Sequence, residues 1–156
     1  RSIKSPEKSD FGINLEVYRR RLDRPVARVE LGLELLQLAS SAIDISDGVM
    51  SDLQHVARLS GVGFNINYHD LPCDAELITL KENPKFRSLF LSGGDDYELA
   101  FTAGPEQTEK IEEVSKRLKI RCTRIRKVTQ GNLIRCHLYT SPSPRHLSTA
   151  RMPTSA

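Results

Sequence analysis

Two carboxylates stand three residues apart in a stretch that reads AIDISDG, where Asp44 and Asp47 flank Ser46 and precede Gly48. Because a strand end and a helix start are predicted on either side, both carboxylates can point at the same place. Magnesium is usually held by one or two carboxylates, while phosphate oxygens supply further ligands. The Ser46 hydroxyl and the first amides of the helix are donors suited to phosphate. A structural interpretation is also open, with Asp47 as the helix N-cap and Asp44 as a turn former.

A second stretch with possible chemistry reads LSGGDDYEL over residues 91–99. Its paired glycines, Gly93 and Gly94, allow the backbone to approach a ligand closely. The acids that follow, Asp95 and Asp96, could hold a metal ion or a cationic group. The stretch lacks the Lys-Ser/Thr ending of a P-loop, so that motif is excluded. The alternative is a tight loop that leads into an edge strand and carries solvated acids.

The spacing of apolar residues predicts the elements that position these stretches. A strand is predicted at 42–45, followed by a helix that begins near Val49 and ends at Gly61, because Val49, Leu53, Val56 and Ala57 recur with helical spacing. Further helices are predicted at 28–39, 74–81 and 105–118, and further strands at 64–68, 97–101, 122–128 and from 133. This order predicts a two-layer α/β domain with a mixed sheet and helices on one face.

The composition excludes several classes of protein. Hydrophobic residues make up 38% and charged residues 28%, as in an ordinary globular domain, and no apolar run approaches the roughly 18 residues of a membrane helix. Cys73, Cys122 and Cys136 are odd in number and widely spaced, so neither a disulfide framework nor a CxxC metal pair is expected. This cysteine usage predicts reduced thiols and a cytoplasmic location.

The charge is distributed unevenly along the chain. The net charge is +3, but residues 114–156 contain ten Lys and Arg and no acid. A basic segment is typical of nucleic-acid binding, so a non-enzymatic basic interaction module is one alternative function. Residues 136–156, however, also lack apolar periodicity and contain three prolines. We interpret residues 135–156 as a disordered, non-native tail and expect no nucleic-acid partner.

Together and in this order, the two stretches resemble the thiamine-monophosphate kinase family. The matching features are Arg24-Pro25 ahead of a Leu-rich helix, AIDISDGVMSDLQHVARLSGVG at 42–63, the DLP turn at 70–72 and LSGGDDYELAFT at 91–102. The family lies in the superfamily of aminoimidazole ribonucleotide synthetase and selenophosphate synthetase. The resemblance implies the fold of the carboxy-terminal domain of aminoimidazole ribonucleotide synthetase.

The resemblance also implies an activity, the ATP- and magnesium-dependent phosphorylation of thiamine monophosphate to thiamine diphosphate. It implies that Asp44 and Asp47 bind Mg²⁺, that Ser46 contacts ATP and that Asp95 contacts the thiamine substrate. Asp95 stands where many relatives have Glu, so its side chain is shorter. Asp52 matches the family pattern too, and its place on the helix favours a packing or capping role. No catalytic acid or base is implied, because the attacking phosphate oxygen is already anionic at neutral pH.

On the same resemblance, the chain is expected to be part of a longer enzyme. Residues 1–22 are interpreted as a linker or the end of a missing amino-terminal ATP-binding domain, residues 23–134 as the kinase carboxy-terminal domain, and residues 135–156 as the tail. The parent is expected to be a homodimer through the missing domain, with small molecules as partners and no membrane. The nearest alternative is another ATP-dependent enzyme of the same superfamily, which its phosphate acceptor would distinguish.

Overall fold

The computed structural model describes residues 12–138 of the chain. Its helices are α1 (Leu15–Asp23), α2 (Val29–Leu35), α3 (Val49–Ser60), α4 (Ile78–Glu82), α5 (Arg87–Ser92) and α6 (Thr108–Leu118). Its strands are β1 (Ser41–Asp44), β2 (Val62–Asn67), β3 (Leu99–Thr102), β4 (Arg126–Gln130) and β5 (Ile134–His137). Short 3₁₀ turns lie at Tyr68–Asp70, Ala75–Leu77, Pro84–Phe86 and Pro105–Gln107.

Within residues 12–138 the strands form two sheets. β1 and β3 pair in an antiparallel arrangement, with Asp44 opposite Leu99. β2 lies between β4, to which it is antiparallel, and β5, to which it is parallel. The predicted α/β class with a mixed sheet is confirmed. The strands that carry the two candidate stretches, β1 and β3, form a small sheet of their own.

The principal core lies between α3 and the mixed sheet. Leu53, Val56 and Ala57 form the buried face of α3, as their spacing predicts, and they cluster with Phe64, Ile66, Tyr68 and Leu71. Burying a large apolar side chain contributes about 1.5–3 kcal/mol. α3 ends at Gly61 as predicted, because Gly61 has φ 63° and its amide donates to the Ala57 carbonyl oxygen.

A second core cluster joins α2 to α6 and anchors β3. Leu31 and Leu35 of α2 are buried with Val114 of α6, and Leu99 and Phe101 of β3 pack against them. α2 is shorter than the predicted helix at 28–39. The Leu35 carbonyl oxygen accepts the amides of Leu38 (3.0 Å) and Ala39 (2.8 Å), which closes the helix in a tight turn.

One additional helix and two strand boundaries around the second stretch and the basic strand differ from the prediction. The connector before the glycines contains a helix, α5, whose Phe90 and Leu91 pack against the principal core. Tertiary packing stabilises so short a helix, which its sequence pattern does not predict. β3 begins at Leu99 because Tyr97 has φ 52°, outside the strand region. β4 begins at Arg126 and not at residue 122.

The predicted end of the folded domain at residue 134 is wrong by three residues, because β5 continues to His137. Cys136 and His137 lie opposite Ile66 and Asn67 of β2 in parallel register. The side of β2 not occupied by β4 offers backbone hydrogen-bonding groups to any adjacent extended segment. Cys136 also packs against the principal core. Residues 139–156 lie outside the described residues, as do residues 1–11, so the disorder expected for the tail stays a prediction.

Candidate active site

The first candidate loop runs from the end of β1 to the start of α3. Asp44 is the last residue of β1, and Gly48 immediately precedes α3. Gly48 is buried and has φ 104°, and a Cβ at this position would lie 2.8 Å from backbone atoms of Ser92. A glycine is therefore required here both for the conformation and for the space. It lets the first loop lie directly against the end of α5, where the second loop begins.

Asp52, in the first turn of α3, holds the backbone of the first loop. Its side chain is buried, and its Oδ2 accepts hydrogen bonds from the amides of Ser46 (3.0 Å) and Asp47 (3.1 Å). The packing or capping role expected for Asp52 takes the form of hydrogen bonds to the loop that precedes the helix, and not to the free amides of the helix itself. The alternative in which Asp47 caps the helix is wrong, because the N-cap position is Gly48 and no side chain caps it. The Asp47 carboxylate therefore takes no part in capping the helix and remains available to a ligand.

The second loop is joined to the first by three backbone hydrogen bonds. The amide of Ile45 donates to the carbonyl oxygen of Glu98 (2.9 Å), and the amide of Tyr97 donates to the carbonyl oxygen of Ile45 (2.8 Å). The amide of Asp95 donates to the carbonyl oxygen of Ser46 (2.9 Å). Between them, Gly94 lies so close to the first loop that a Cβ would collide with the Ser46 carbonyl oxygen. Gly94 therefore allows close approach of the backbone to the first loop, whereas Gly93 lies against the Leu89 carbonyl oxygen of α5.

These bonds bring the predicted site residues Asp44, Ser46, Asp47 and Asp95 together. The three carboxylates are exposed, and Ser46 is half-buried. The hydroxyl of Tyr97 donates to Asp95 Oδ1 at 2.9 Å. This hydrogen bond, with the negative charges of Asp95, Asp44 and Asp47, raises the pKa of Tyr97. Asp44 and Asp47 of the first loop therefore lie near enough to Tyr97 of the second loop for their charges to act on its hydroxyl group.

The carboxylates of Asp44 and Asp47 form no hydrogen bond or ion pair with the residues that the structure describes. Unpaired carboxylate oxygens are the ligands that Mg²⁺ prefers, and it often takes only one or two from protein when phosphates are present. Among residues 12–138, no three or more His, Cys, Asp or Glu side chains gather into a metal-binding group. The donor set fits a magnesium ion that shares its remaining ligands with phosphate.

An ion-pair cluster beside the loops was not predicted from the sequence. Arg28 donates from Nε and Nη2 to the two carboxylate oxygens of Glu98 (2.8 and 2.6 Å), and Arg21 Nη2 donates to Glu98 Oε1 (2.6 Å). The Arg28 hydrogen bonds and charge are chiefly what lowers the pKa of Glu98. The one sign in the sequence that Glu98 has a role is its place in the DDYEL motif. Its pairing with Arg28 and Arg21 could not be predicted, because no local pattern links residues so far apart along the chain.

Two further expectations concern membrane-spanning helices and cysteines. No helix among residues 12–138 is both long enough and apolar enough to cross a membrane. Cys73, Cys122 and Cys136 are free thiols, and burial raises the pKa of the Cys122 and Cys136 thiols.

Several curated proteins with related sequences are named thiamine-monophosphate kinase, and no family profile matches the chain. Over 107 residues, the chain is 37% identical to the thiamine-monophosphate kinase of Haemophilus influenzae. This match covers 69% of the chain and 33% of that protein. The chain is homologous to the thiamine-monophosphate kinases. It spans about a third of the length of the curated relatives that it matches.

Solved structures related to thiamine-monophosphate kinase share the fold. The crystal structure of thiamine-monophosphate kinase from Stenotrophomonas maltophilia matches with a TM-score of 0.73 and 38% identity, over 78% of this chain and 38% of that chain. The structure of AaThiL complexed with AMPPCP and TMP matches with a TM-score of 0.63 and 30% identity, over 86% of this chain and 40% of that chain. The fold expected from the two motif stretches is confirmed, and so is the resemblance to the thiamine-monophosphate kinases.

Proposed function

We propose that this chain supplies one wall of the active site of a thiamine-monophosphate kinase, which transfers the γ-phosphoryl group of ATP to thiamine monophosphate. The observation that carries the proposal is the pairing of the two motif loops, because three backbone hydrogen bonds join the segments that contain the candidate acids. Because the relatives are about three times longer than the matched region, we propose that the rest of the site lies in a longer protein, the parent kinase.

The proposed reaction moves one phosphoryl group between two phosphates. An oxygen of thiamine monophosphate attacks the γ-phosphorus of ATP, the bond from this phosphorus to the β-phosphate oxygen breaks, and thiamine diphosphate and ADP are formed. The attacking oxygen carries a negative charge at neutral pH, so no residue of this chain has to remove a proton. Such reactions are catalysed mainly by positioning and by charge neutralisation.

Each predicted site residue has a role in this scheme. Asp44 and Asp47 hold Mg²⁺, which when bound neutralises phosphate charge. The Ser46 hydroxyl binds ATP, on a backbone held in place by Asp52. Asp95 is exposed and binds thiamine monophosphate, whose thiazolium ring carries a positive charge that a carboxylate can pair with.

The cellular setting is also a proposal. We propose a cytoplasmic parent kinase that acts on small molecules and forms a homodimer through its amino-terminal domain. The dimer rests on the family resemblance alone. The free thiols among the described residues are compatible with a reducing compartment.

Formation of thiamine diphosphate from ATP and thiamine monophosphate tests the proposed activity. The parent kinase should form the product in the presence of Mg²⁺. The 156-residue chain alone should not, because one wall of a cleft provides too few of the groups that stabilise the transition state together. In the parent kinase, Asp95→Asn should mainly raise the KM for thiamine monophosphate and leave the KM for ATP unchanged.

The matched control is Asp23→Asn, which removes an exposed carboxylate at the end of α1, outside both loops, and should leave both KM values unchanged. Turnover of a different phosphate acceptor, without turnover of thiamine monophosphate, would contradict the proposal and favour another enzyme of the superfamily. Efficient turnover by the 156-residue chain alone would contradict the assignment of only one wall of the site to it.

A further inference from the structure

Asp95 and Tyr97 both have a backbone conformation that residues other than glycine rarely adopt. Their φ angles are 64° and 52°, in the left-handed region. Such conformations persist where surrounding structure enforces them, and they are frequent at binding sites. Here the enforcing contacts are the backbone hydrogen bonds from Asp95 to Ser46 and from Tyr97 to Ile45. The first loop therefore determines where both side chains lie.

In this conformation the Tyr97 hydroxyl reaches the proposed substrate-binding carboxylate. It donates to Asp95 Oδ1 at 2.9 Å, and Oδ2 accepts no hydrogen bond from the residues that the structure describes. Tyr97 belongs to neither buried core cluster. Its hydroxyl keeps its proton at neutral pH, since the ordinary tyrosine pKa is about 10 and the Asp95 hydrogen bond and the neighbouring carboxylates raise the pKa of Tyr97 further. It therefore remains a donor under the conditions of the reaction.

We propose that Tyr97 is a positioning residue for Asp95, whose carboxylate it orients so that Oδ2 is presented to thiamine monophosphate. This inference rests on the proposed function and extends it to a residue with no assigned role. An exposed aspartate without a partner samples several rotamers, and substrate binding then has to order it. A carboxylate that is ordered in advance binds more tightly.

The test compares kinetic constants of variants of the parent kinase. Tyr97→Phe removes only the hydroxyl group, and it should raise the KM for thiamine monophosphate roughly tenfold, the effect of losing a hydrogen bond to a charged group. The KM for ATP should not change. In the Asp95→Asn background, Tyr97→Phe should cause no further rise, because residues that act through one another are not additive.

A second tyrosine provides the matched control. Tyr18 on α1 also lies beside an aspartate, Asp74. Burial is the main cause that raises the pKa of Tyr18, and the charge of Asp74 is the second. Tyr18→Phe removes the same chemical group outside both loops and should leave the KM for thiamine monophosphate unchanged. Independently of activity, ultraviolet titration of the 156-residue chain should show that Asp95→Asn lowers the pKa of Tyr97 towards the ordinary value of about 10.

The outcomes separate this inference from the proposed function. If Tyr97→Phe leaves the KM unchanged while Asp95→Asn raises it, the inference is overturned and the proposed function stands. The inference is equally overturned if Asp95→Asn leaves the pKa of Tyr97 unaltered, or if Tyr18→Phe raises the KM as much as Tyr97→Phe. If the unsubstituted parent kinase forms no thiamine diphosphate, both are overturned.

Discussion

The paired loops at 44–48 and 93–98 and the turn at 68–71 both involve charged side chains, but the two regions use them differently. In the loops, backbone amides and carbonyl groups bond to one another or to Asp52, while the carboxylates of Asp44 and Asp47 stay exposed and unpaired by the described residues. At the turn, a charged side chain that comes from α4 is itself enclosed. Lys81 is only 5% exposed, and its Nζ donates to the carbonyl oxygens of His69 and Leu71.

The groups that surround the Lys81 ammonium group belong to the protein itself. The Lys81 ammonium group also lies 5.6 Å from the centre of the Tyr68 ring, and the Tyr68 hydroxyl donates to the Lys81 carbonyl oxygen at 2.8 Å. A buried charge is tolerated only with such partners. The comparison teaches that charge alone does not mark a binding site. An acid on a fixed backbone with unpaired oxygens can bind a ligand, whereas a buried charge that is hydrogen-bonded to backbone carbonyl groups stabilises the fold.

The largest expected effect is on the exposed acids. In the parent kinase, Asp44→Asn or Asp47→Asn should lower kcat by roughly a thousandfold or more, because each removes a charge that neutralises phosphate in the transition state. The unfolding midpoint should not change, since neither carboxylate has a partner among the described residues. Thiamine diphosphate formation and thermal unfolding measure the two effects. Normal turnover in both variants would place the metal ligands elsewhere.

The opposite result is expected for Lys81. Lys81→Ala should lower the free energy of unfolding by about 2–4 kcal/mol, because it opens a cavity and leaves buried carbonyl groups without donors. The remaining folded protein should keep its KM for thiamine monophosphate. Urea unfolding of the 156-residue chain measures the stability. Lys81→Met fills the space without a hydrogen-bond donor, so it separates the effect of packing from that of hydrogen bonding. A loss of activity without a loss of stability in Lys81→Ala would contradict the contrast drawn between the two regions.

Asp52 has a feature of each region, because its side chain is buried like that of Lys81 but accepts hydrogen bonds from the exposed first loop. Asp52→Asn should cost about 1–3 kcal/mol, the usual penalty for weakening hydrogen bonds to a buried charged acceptor. It should also lower kcat, by much less than Asp47→Asn, through displacement of Ser46 and Asp47. Urea unfolding and kinetics on the same variant test both effects. Unchanged stability would show that the loop holds its conformation without Asp52.

The smallest expected effect is that of Glu98 on the pH dependence of folding stability. Arg28 lowers the pKa of Glu98 in the folded protein, so this ion pair stabilises the fold above the ordinary glutamate pKa of about 4.3. That contribution is lost as the pH falls below this value towards the lower pKa of the folded state. Urea midpoints measured from neutral pH downwards should fall less steeply in Glu98→Gln than in the unsubstituted chain. Identical slopes would show that the pair contributes nothing, as many partly exposed ion pairs do.

Local sequence determined a large part of this protein. The spacing of Leu53, Val56 and Ala57 predicted the buried face of α3, and Gly61 predicted its end, because these signals lie within one or two helical turns. The two motif loops were also found from the sequence, together with the candidate residues Asp44, Ser46, Asp47 and Asp95. Residue type and short spacing are enough to recognise such loops, and the family resemblance supplied the roles proposed for their residues.

Only the tertiary structure decided how these parts meet. The backbone hydrogen bonds from Ile45 to Glu98 and from Asp95 to Ser46 join residues about fifty positions apart, and the Arg28–Glu98 pair spans still more of the chain. The same is true of the burial of Lys81 and of the added strand β5, which depends on a free side of β2. Contacts of this kind depend on the combined packing of several elements, because their ordering has an entropic cost that no single local pattern can offset.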